Sequence, residues 1–370
     1  MKRCLPITLF SCFLLSQFGL AMETAQQTNR PRLVYADSLI GSVRDGREVR
    51  QLWGNVEIVQ DSAILHCDHA IWWEDVDLID LIGRVFINDG TRILESDTVR
   101  YDGKHKIETA TGRVKLTSGK RMLETRWLRY WQENEKAEAK GDVVVNDFIE
   151  MAVLTGVRAE YDRNKDYTRV EGNPRFTKTD SVDSTKLIVS GVIMEAWGEN
   201  QIILIQDSVR IDKGALTAMC RMAEYHSDDD ILFLKNLPVV WHRKQRMKAD
   251  SIDIHLQGVS FQGGVLRGSS EIQSLDSLYS DVLKGELIEI TASEDTIRQI
   301  VIEGQASSQY YNTDDDSGDP GKNVFSGDRI VLHFTGDKLK AVKILSEPGQ
   351  SSGTYSPLEA AENEAGIKEE

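Results

Sequence analysis

Val49-Arg50-Gln51-Leu52-Trp53-Gly54-Asn55-Val56-Glu57-Ile58 is the stretch on which the fold turns. Apolar residues stand five and two places before Gly54 and two and four places after it, and the same frame returns along the chain. Leu78, Leu81, Val85 and Ile87 surround Gly83, and Ile107, Ala110, Val114 and Leu116 surround Gly112. Ile202, Ile205, Val209 and Ile211 surround Asp207. The punctuating positions are Gly54, Gly83, Gly112, Gly141, Gly172, Asp207 and Asn236, at steps of 29, 29, 29, 31, 35 and 29 residues. A period in this range marks an architecture of stacked repeats. Steps of two are strand steps, because alternate side chains share a face. The step of three from minus five to minus two predicts a bulge or corner at that place, since otherwise every later side chain would change face.

A second strand type lies between these. It reads Leu65, Cys67, Ala70, Trp72, then Leu94, Ser96, Val99, Tyr101, then Leu123, Thr125, Leu128, Tyr130, with later copies at Leu154 to Tyr161 and Met247 to Ile254. Each copy holds one step of three, so both strand types bend midway. Polar turns such as Asn88-Asp89-Gly90 and Ser118-Gly119 separate them and suit hairpins. The expected fold class is all-β: an elongated, open, taco-like β-jelly-roll of about 30-residue repeats, each two bent antiparallel strands. A coiled β-solenoid is the competing geometry.

Gly54-Asn55-Val56-Glu57-Ile58, Leu65-His66-Cys67-Asp68-His69-Ala70, Leu94 to Tyr101 and Gly141-Asp142-Val143-Val144-Val145 resemble the OstA-like, or organic-solvent-tolerance, family, which includes the LptA-like periplasmic proteins of lipopolysaccharide transport. The resemblance covers residues 33 to 255 well and continues more loosely through Gly285-Glu286-Leu287, Gly304-Gln305-Ala306 and Gly327 to Leu332. It implies a non-enzymatic periplasmic protein of outer-membrane assembly that holds lipopolysaccharide, or a related glycolipid, by its acyl chains in an apolar groove between two sheets. It also implies head-to-tail pairing with related domains or with a second copy. The groove candidates by parity are Val56, Ile58, Val85, Ile87, Val114, Leu116, Val143 and Val145, with Leu65, Leu94 and Leu123 opposite. The same residues would serve equally as a packed core, so a structural or adhesive envelope protein is the alternative, and a carbohydrate-active β-helix enzyme a third. The chain is longer than a minimal bridge domain and lacks a long carboxy-terminal barrel.

Lys2 and Arg3 precede an apolar run to about Leu15, and Gly19-Leu20-Ala21 supplies small residues, so residues 1–21 read as a signal peptide cleaved after Ala21. A lipoprotein reading at Cys12 fits less well, because apolar residues continue past it. The expected division thereafter is a regular repeat domain over 32–257 and an irregular linker or degenerate repeat over 258–283, followed by a shorter repeat block over 284–346 and a disordered tail over 347–370. No later apolar run is long enough to span a membrane. The formal net charge is −15, and removing Lys2 and Arg3 takes it to −17. That excess of negative charge argues against nucleic acid, and against simple electrostatic capture of anionic head groups.

Motifs for chemistry are sparse, and neither a cofactor nor a metal is expected. His66-Cys67-Asp68-His69 invites a metal reading, but neighbouring strand residues face opposite ways, and the position matches Leu94-Glu95-Ser96-Asp97 in the next repeat. Asp68, Asp97 and then Arg126 change sign down the repeat, which reads as surface variation. The seven tryptophans could hold acyl chains or sugars, although such residues more often fill a core. Cys67 and Cys220 lie about five repeats apart, too far for a disulfide, and are expected to remain thiols. No nucleophile elbow, phosphate loop, zincin helix or dinucleotide fingerprint appears.

Overall fold

The computed structural model describes residues 31–357 apart from 45, 61, 180–183, 199–201, 227, 258–259, 276–279, 294–295, 313–320 and 337. The signal segment expected over 1–21 lies outside the described residues. The chain divides into two compact units, Met1–Gly214 with Met222–Asp229, and Ala215–Arg221 with Asp230–Glu370. Their division falls within the block expected to be continuous over 32–257.

The first unit runs β1 (Arg32–Tyr35), β2 (Ser38–Arg44), β3 (Arg47–Gln60), β4 (Ala63–Trp73), β5 (Leu78–Asn88), β6 (Arg92–Asp102), β7 (Ile107–Ser118), β8 (Arg121–Trp131), β9 (Lys136–Asp147) and β10 (Ala152–Asp162). It continues with β11 (Tyr167–Glu171), β12 (Arg175–Thr179), β13 (Lys186–Ser190), β14 (Ile193–Trp197) and β15 (Ile202–Lys213). The next strand, β16 (Leu216–His226), contributes to both units. The second unit contains β17 (Ile231–Lys235), β18 (Val239–His242), β19 (Gln245–Lys248), β20 (Ser251–Gln257), β21 (Ser260–Ser274), β22 (Val282–Ser293), β23 (Thr296–Asn312), β24 (Gly321–Thr335), β25 (Lys338–Leu345) and β26 (Ser352–Pro357). Among the described residues the strand pairings of both units are antiparallel.

From β3 to β10 each strand pairs with the next by a short hairpin, and each pairing breaks register once, near its middle. On the first strand type the break falls at the punctuating residue: between Trp53 and Val56, between Ile82 and Val85, and between Thr111 and Val114. All seven punctuating residues have positive φ, from 56° at Asp207 to 96° at Gly112. Glycine enters that region freely, and asparagine and aspartate tolerate it, which explains the identities at these positions. The short strands obey the same rule. β11 and β12 are halves of one bent strand about Gly172 and Asn173, and β17 and β18 are halves of another about Asn236 and Leu237.

Two expectations need correction, and one pair of alternatives is narrowed. No bulge lies between minus five and minus two: Val49 is buried, but Leu78, Ile107 and Ile202 at minus five are only half-buried, Ile79 rather than Leu78 is buried, and the bend sits at the glycine. Of linker and degenerate repeat, residues 260–274 fit the second, forming a bent strand with Gly268 at φ 94° as its corner. Within the tail expected to be disordered, β26 pairs with β24; residues 358–370 lie outside the described ones.

The bend turns the two halves of each strand toward one another. β6 shows this directly: Arg92 and Leu94 pair with the far half of β7, Val99 and Tyr101 with its near half, and Arg92 nevertheless reaches Glu108 on that near half. The apolar side chains of the first unit meet in the space so enclosed.

Candidate functional site

The enclosed space of the first unit has two walls. Ile58, Leu65, Ile87, Leu94, Leu116, Leu123 and Val145 follow one another across β3 to β9 as cross-strand neighbours on one wall. Val56, Val85, Val114 and Val143 lie beside them, nearer the bend. The sequence reading set Leu65, Leu94 and Leu123 opposite the others, whereas they share a face, because Ile58 pairs directly with Leu65 and Ile87 with Leu94. Of the eleven candidates, Val56, Ile58, Val85, Leu94, Val114, Leu116, Leu123, Val143 and Val145 are at most 4 % exposed, while Leu65 and Ile87 are half-buried.

The facing wall was not among the groove candidates, although most of its members were named as repeat positions. Its inner row is Leu52, Ala70, Leu81, Val99, Ala110, Leu128, Ala139 and Ala159, and its outer row is Trp72, Ile79, Tyr101, Glu108, Tyr130, Ala137 and Tyr161. The signal was present in the second strand type, where Trp72, Tyr101, Tyr130 and Tyr161 recur at one position. Side chains are smallest from β7 to β10, at Ala110, Ala137, Ala139 and Ala159, all buried. A small internal cavity lies there, lined by Leu94 and Leu116 from one wall and Ala110, Leu128, Tyr130 and Ala137 from the other, with Arg92 and Glu108 at its polar end.

Opposite the bend, the two walls approach at a polar mouth. Arg92 donates from Nη2 to Glu108 Oε2 across it at 3.3 Å, and from Nε to Asp89 Oδ2 on its own hairpin at 2.5 Å. The guanidinium lies 5.9 Å from the centre of the Tyr130 ring. Burial alone would raise the Asp89 carboxyl, but hydrogen bonds from Thr91 and Arg92 outweigh it and hold the pKa below the usual carboxylate range. Burial likewise opposes the Arg92 charge, yet Glu108 and Asp89 raise its pKa. Further along, the buried Asp147 accepts from the backbone N–H of Ile149 at 2.9 Å and of Glu150 at 3.0 Å, and from Arg121 Nε at 2.9 Å.

At the bend itself the sign change noted in the sequence acquires a cause. Asp68 pairs with Arg84, Asp97 with Arg113, and Arg126 with Asp142, so when the first member changes sign the residue after the glycine changes with it. These are exposed structural pairs. Each first member also lies over the glycine: a Cβ on Gly112 would meet Asp97 Oδ2 at 2.3 Å. In His66-Cys67-Asp68-His69 the side chains diverge. Asp68 goes to Arg84, His69 stacks on Trp53 at 3.6 Å between ring centres, and the buried Cys67 donates to the His69 carbonyl, its thiol pushed up to about 11 by burial.

The tryptophans depart from the core expectation. Trp72 alone is buried, at 6 % exposure; Trp73, Trp127, Trp131, Trp197 and Trp241 are half-buried and Trp53 is exposed. Trp127 and Trp131 flank the inward Leu128 and Tyr130 and therefore face outward, where Arg129 lies 5.0 and 5.7 Å from their ring centres.

Residues 32–166 match the sequence profile of a family described as OstA-like protein. Among solved structures, the chain is similar to LptH from Pseudomonas aeruginosa, described as the LptA homologous periplasmic component of the conserved lipopolysaccharide transport device. The identity is 15 %, the match covers 30 % of this chain and 79 % of that one, and the TM-score is 0.28. No curated protein matches the chain in sequence. The bends at Gly54, Gly83, Gly112 and Gly141 all fall within the matched segment, so residues 32–166 are similar to the OstA-like family where the strands turn.

Proposed function

We propose that this chain is a periplasmic lipopolysaccharide-binding and transport protein of outer-membrane assembly, acting without catalysis. Acyl chains of the cargo would occupy the space between the two walls of the first unit, against Val56, Ile58, Leu65, Val85, Ile87, Leu94, Val114, Leu116, Leu123, Val143 and Val145. The observation that carries this reading is the pair of apolar walls joined along one bend and meeting at a polar mouth, in a segment similar to the OstA-like family. Transfer of each buried methylene from water is worth about 0.8 kcal/mol, so acyl chains have a strong drive into such a space. The family resemblance and the amino-terminal segment favour export, with cleavage after Ala21. Association with related domains or a second copy would use the terminal strand. Among the described residues, β1 and β2 pair only with β3.

One observation favours a second reading, an envelope scaffold with a permanently packed interior. The walls are in contact, and the cavity between them is about the size of a water molecule. A photo-crosslinking side chain at position 114 or 143 separates the two. Labelling by lipopolysaccharide supports transport, and absence of labelling under conditions that label a known carrier supports the scaffold.

A further inference from the structure

The interior of the first unit is not uniform, and a cavity within it coincides with a distinctive feature of the mouth. Small residues at Ala110 and Ala137 leave the cavity between β6, β7, β8 and β9. Directly at its polar end stands Arg92, bonded to Glu108 on the facing wall and to Asp89 on its own. All three carboxylate and guanidinium side chains are at least four-fifths shielded. A cation held between two carboxylates, one on each side of an opening, is a closure with two unequal halves. Separating the walls breaks the Glu108 bond and the contact with the Tyr130 ring, while the Asp89 bond, within the hairpin of Arg92, is kept.

Resting on the transport reading above, we propose that this is a lateral entry point for a single acyl chain bearing an anionic end group, such as a carboxylate or phosphate. The chain would enter between Arg92 and Glu108 and lie against Leu94, Ala110, Leu116 and Ala137. Its anionic end would replace Glu108 as the cross-mouth partner of Arg92. The pieces fit chemically. Apolar lining takes hydrocarbon and rejects a charged head, and guanidinium favours planar or tetrahedral oxyanions through two parallel N–H bonds. The protein's overall negative charge repels anionic amphiphiles elsewhere on the surface, so a shielded cation inside the mouth discriminates strongly by position.

The test uses the full mature chain with cis-parinaric acid, a fluorescent long-chain carboxylate, its methyl ester, and lipid A, each titrated against wild type, Glu108→Gln, Arg92→Gln and Ala137→Leu. Glu108→Gln releases the closure, and association of the carboxylate probe should accelerate several-fold. Arg92→Gln should weaken the carboxylate about tenfold or more while leaving the ester within about twofold, since a charge-assisted bond is lost only for the former. Ala137→Leu fills the cavity and should weaken carboxylate and ester alike, which keeps the proposal open to refutation if Arg92→Gln fails to fold. Equal binding of the carboxylate by wild type, Arg92→Gln and Ala137→Leu overturns this entry point and leaves lipid binding elsewhere between the walls intact. Failure of wild type to bind either probe or lipid A overturns the transport reading itself.

Discussion

Gly112 and Gly90 both have positive φ, at 96° and 87°, but a Cβ on Gly112 would meet Asp97 whereas one on Gly90 would meet nothing within 4 Å. Gly90→Ala should therefore cost about 1 kcal/mol from backbone strain alone, and Gly112→Ala about 1–3 kcal/mol because the Asp97 pair is displaced as well. Urea unfolding midpoints compare the two, and equal losses would show that the overlying carboxylate contributes nothing. The exposed Asp97–Arg113 pair gives a second test at this scale. Because Arg126 and Asp142 already present the same geometry with the signs exchanged, the double variant Asp97→Arg with Arg113→Asp should unfold closer to wild type than either single variant does. Asp147 differs in being buried: Asp147→Asn leaves two turn N–H groups and Arg121 poorly satisfied and should cost about 1–3 kcal/mol at neutral pH. Burial works to raise its pKa, but the N–H of Glu150 and the Arg121 side chain hold it lowered. A carboxylate with a lowered native pKa stabilises the fold above its unfolded value and loses that contribution as pH falls through the native one. The stability gap between wild type and Asp147→Asn should accordingly shrink below about pH 4, and a gap that stays constant down to acid unfolding would contradict it.

At the level of the strand, alternation and the presence of a bend were readable from the residues, but the bend lies at the punctuating residue and not at the step of three where it was expected. A left-handed corner selects glycine, asparagine or aspartate, and an inward position two residues away selects Val, Ile or Leu. The eleven groove candidates all fall on one wall, and Leu65, Leu94 and Leu123, set opposite the others in the sequence, share it. Periodicity reports which residues share a face of one strand, not which half of a bent strand that face later meets. The tryptophans show the cost of setting alternation aside. Trp127 and Trp131 stand beside inward Leu128 and Tyr130 and had to face outward, whatever tryptophan does on average. Acrylamide should consequently quench most of the indole emission of the native protein, leaving a resistant fraction assignable by Trp72→Phe; quenching confined to the unfolded chain would contradict the outward placement.

On the scale of the whole molecule, a stack of repeats is stabilised by contacts between neighbours and leaves its last strand open. β2 exposes Leu39, Ile40 and Val43, at 51, 54 and 72 %, beside backbone that pairs on one side only among the described residues. Such an edge is suited to adding another strand. Placing lysine at positions 40 and 43 should abolish concentration-dependent self-association in sedimentation, with unfolding midpoints near wild type. Unchanged association would move the contact away from this edge.

The sequence by itself determined the period, the all-β class and the apolar character of one wall, because each is a local steric or solvation requirement met within a few residues; the corner, expected at the step of three, was placed at the glycine only by strand pairing. Only the tertiary structure decided that the exchange of sign from Asp97 to Arg126 is answered by the exchange from Arg113 to Asp142, and that Arg92 closes a mouth against Glu108. It alone showed that alanines on separate strands leave a cavity in common. Hairpin pairing sets Asp97 beside Arg113 on the next strand, whereas Arg92 and Glu108, whose ladder partners are Ser118 and Tyr101, meet only once the two halves of each strand have been turned to face one another.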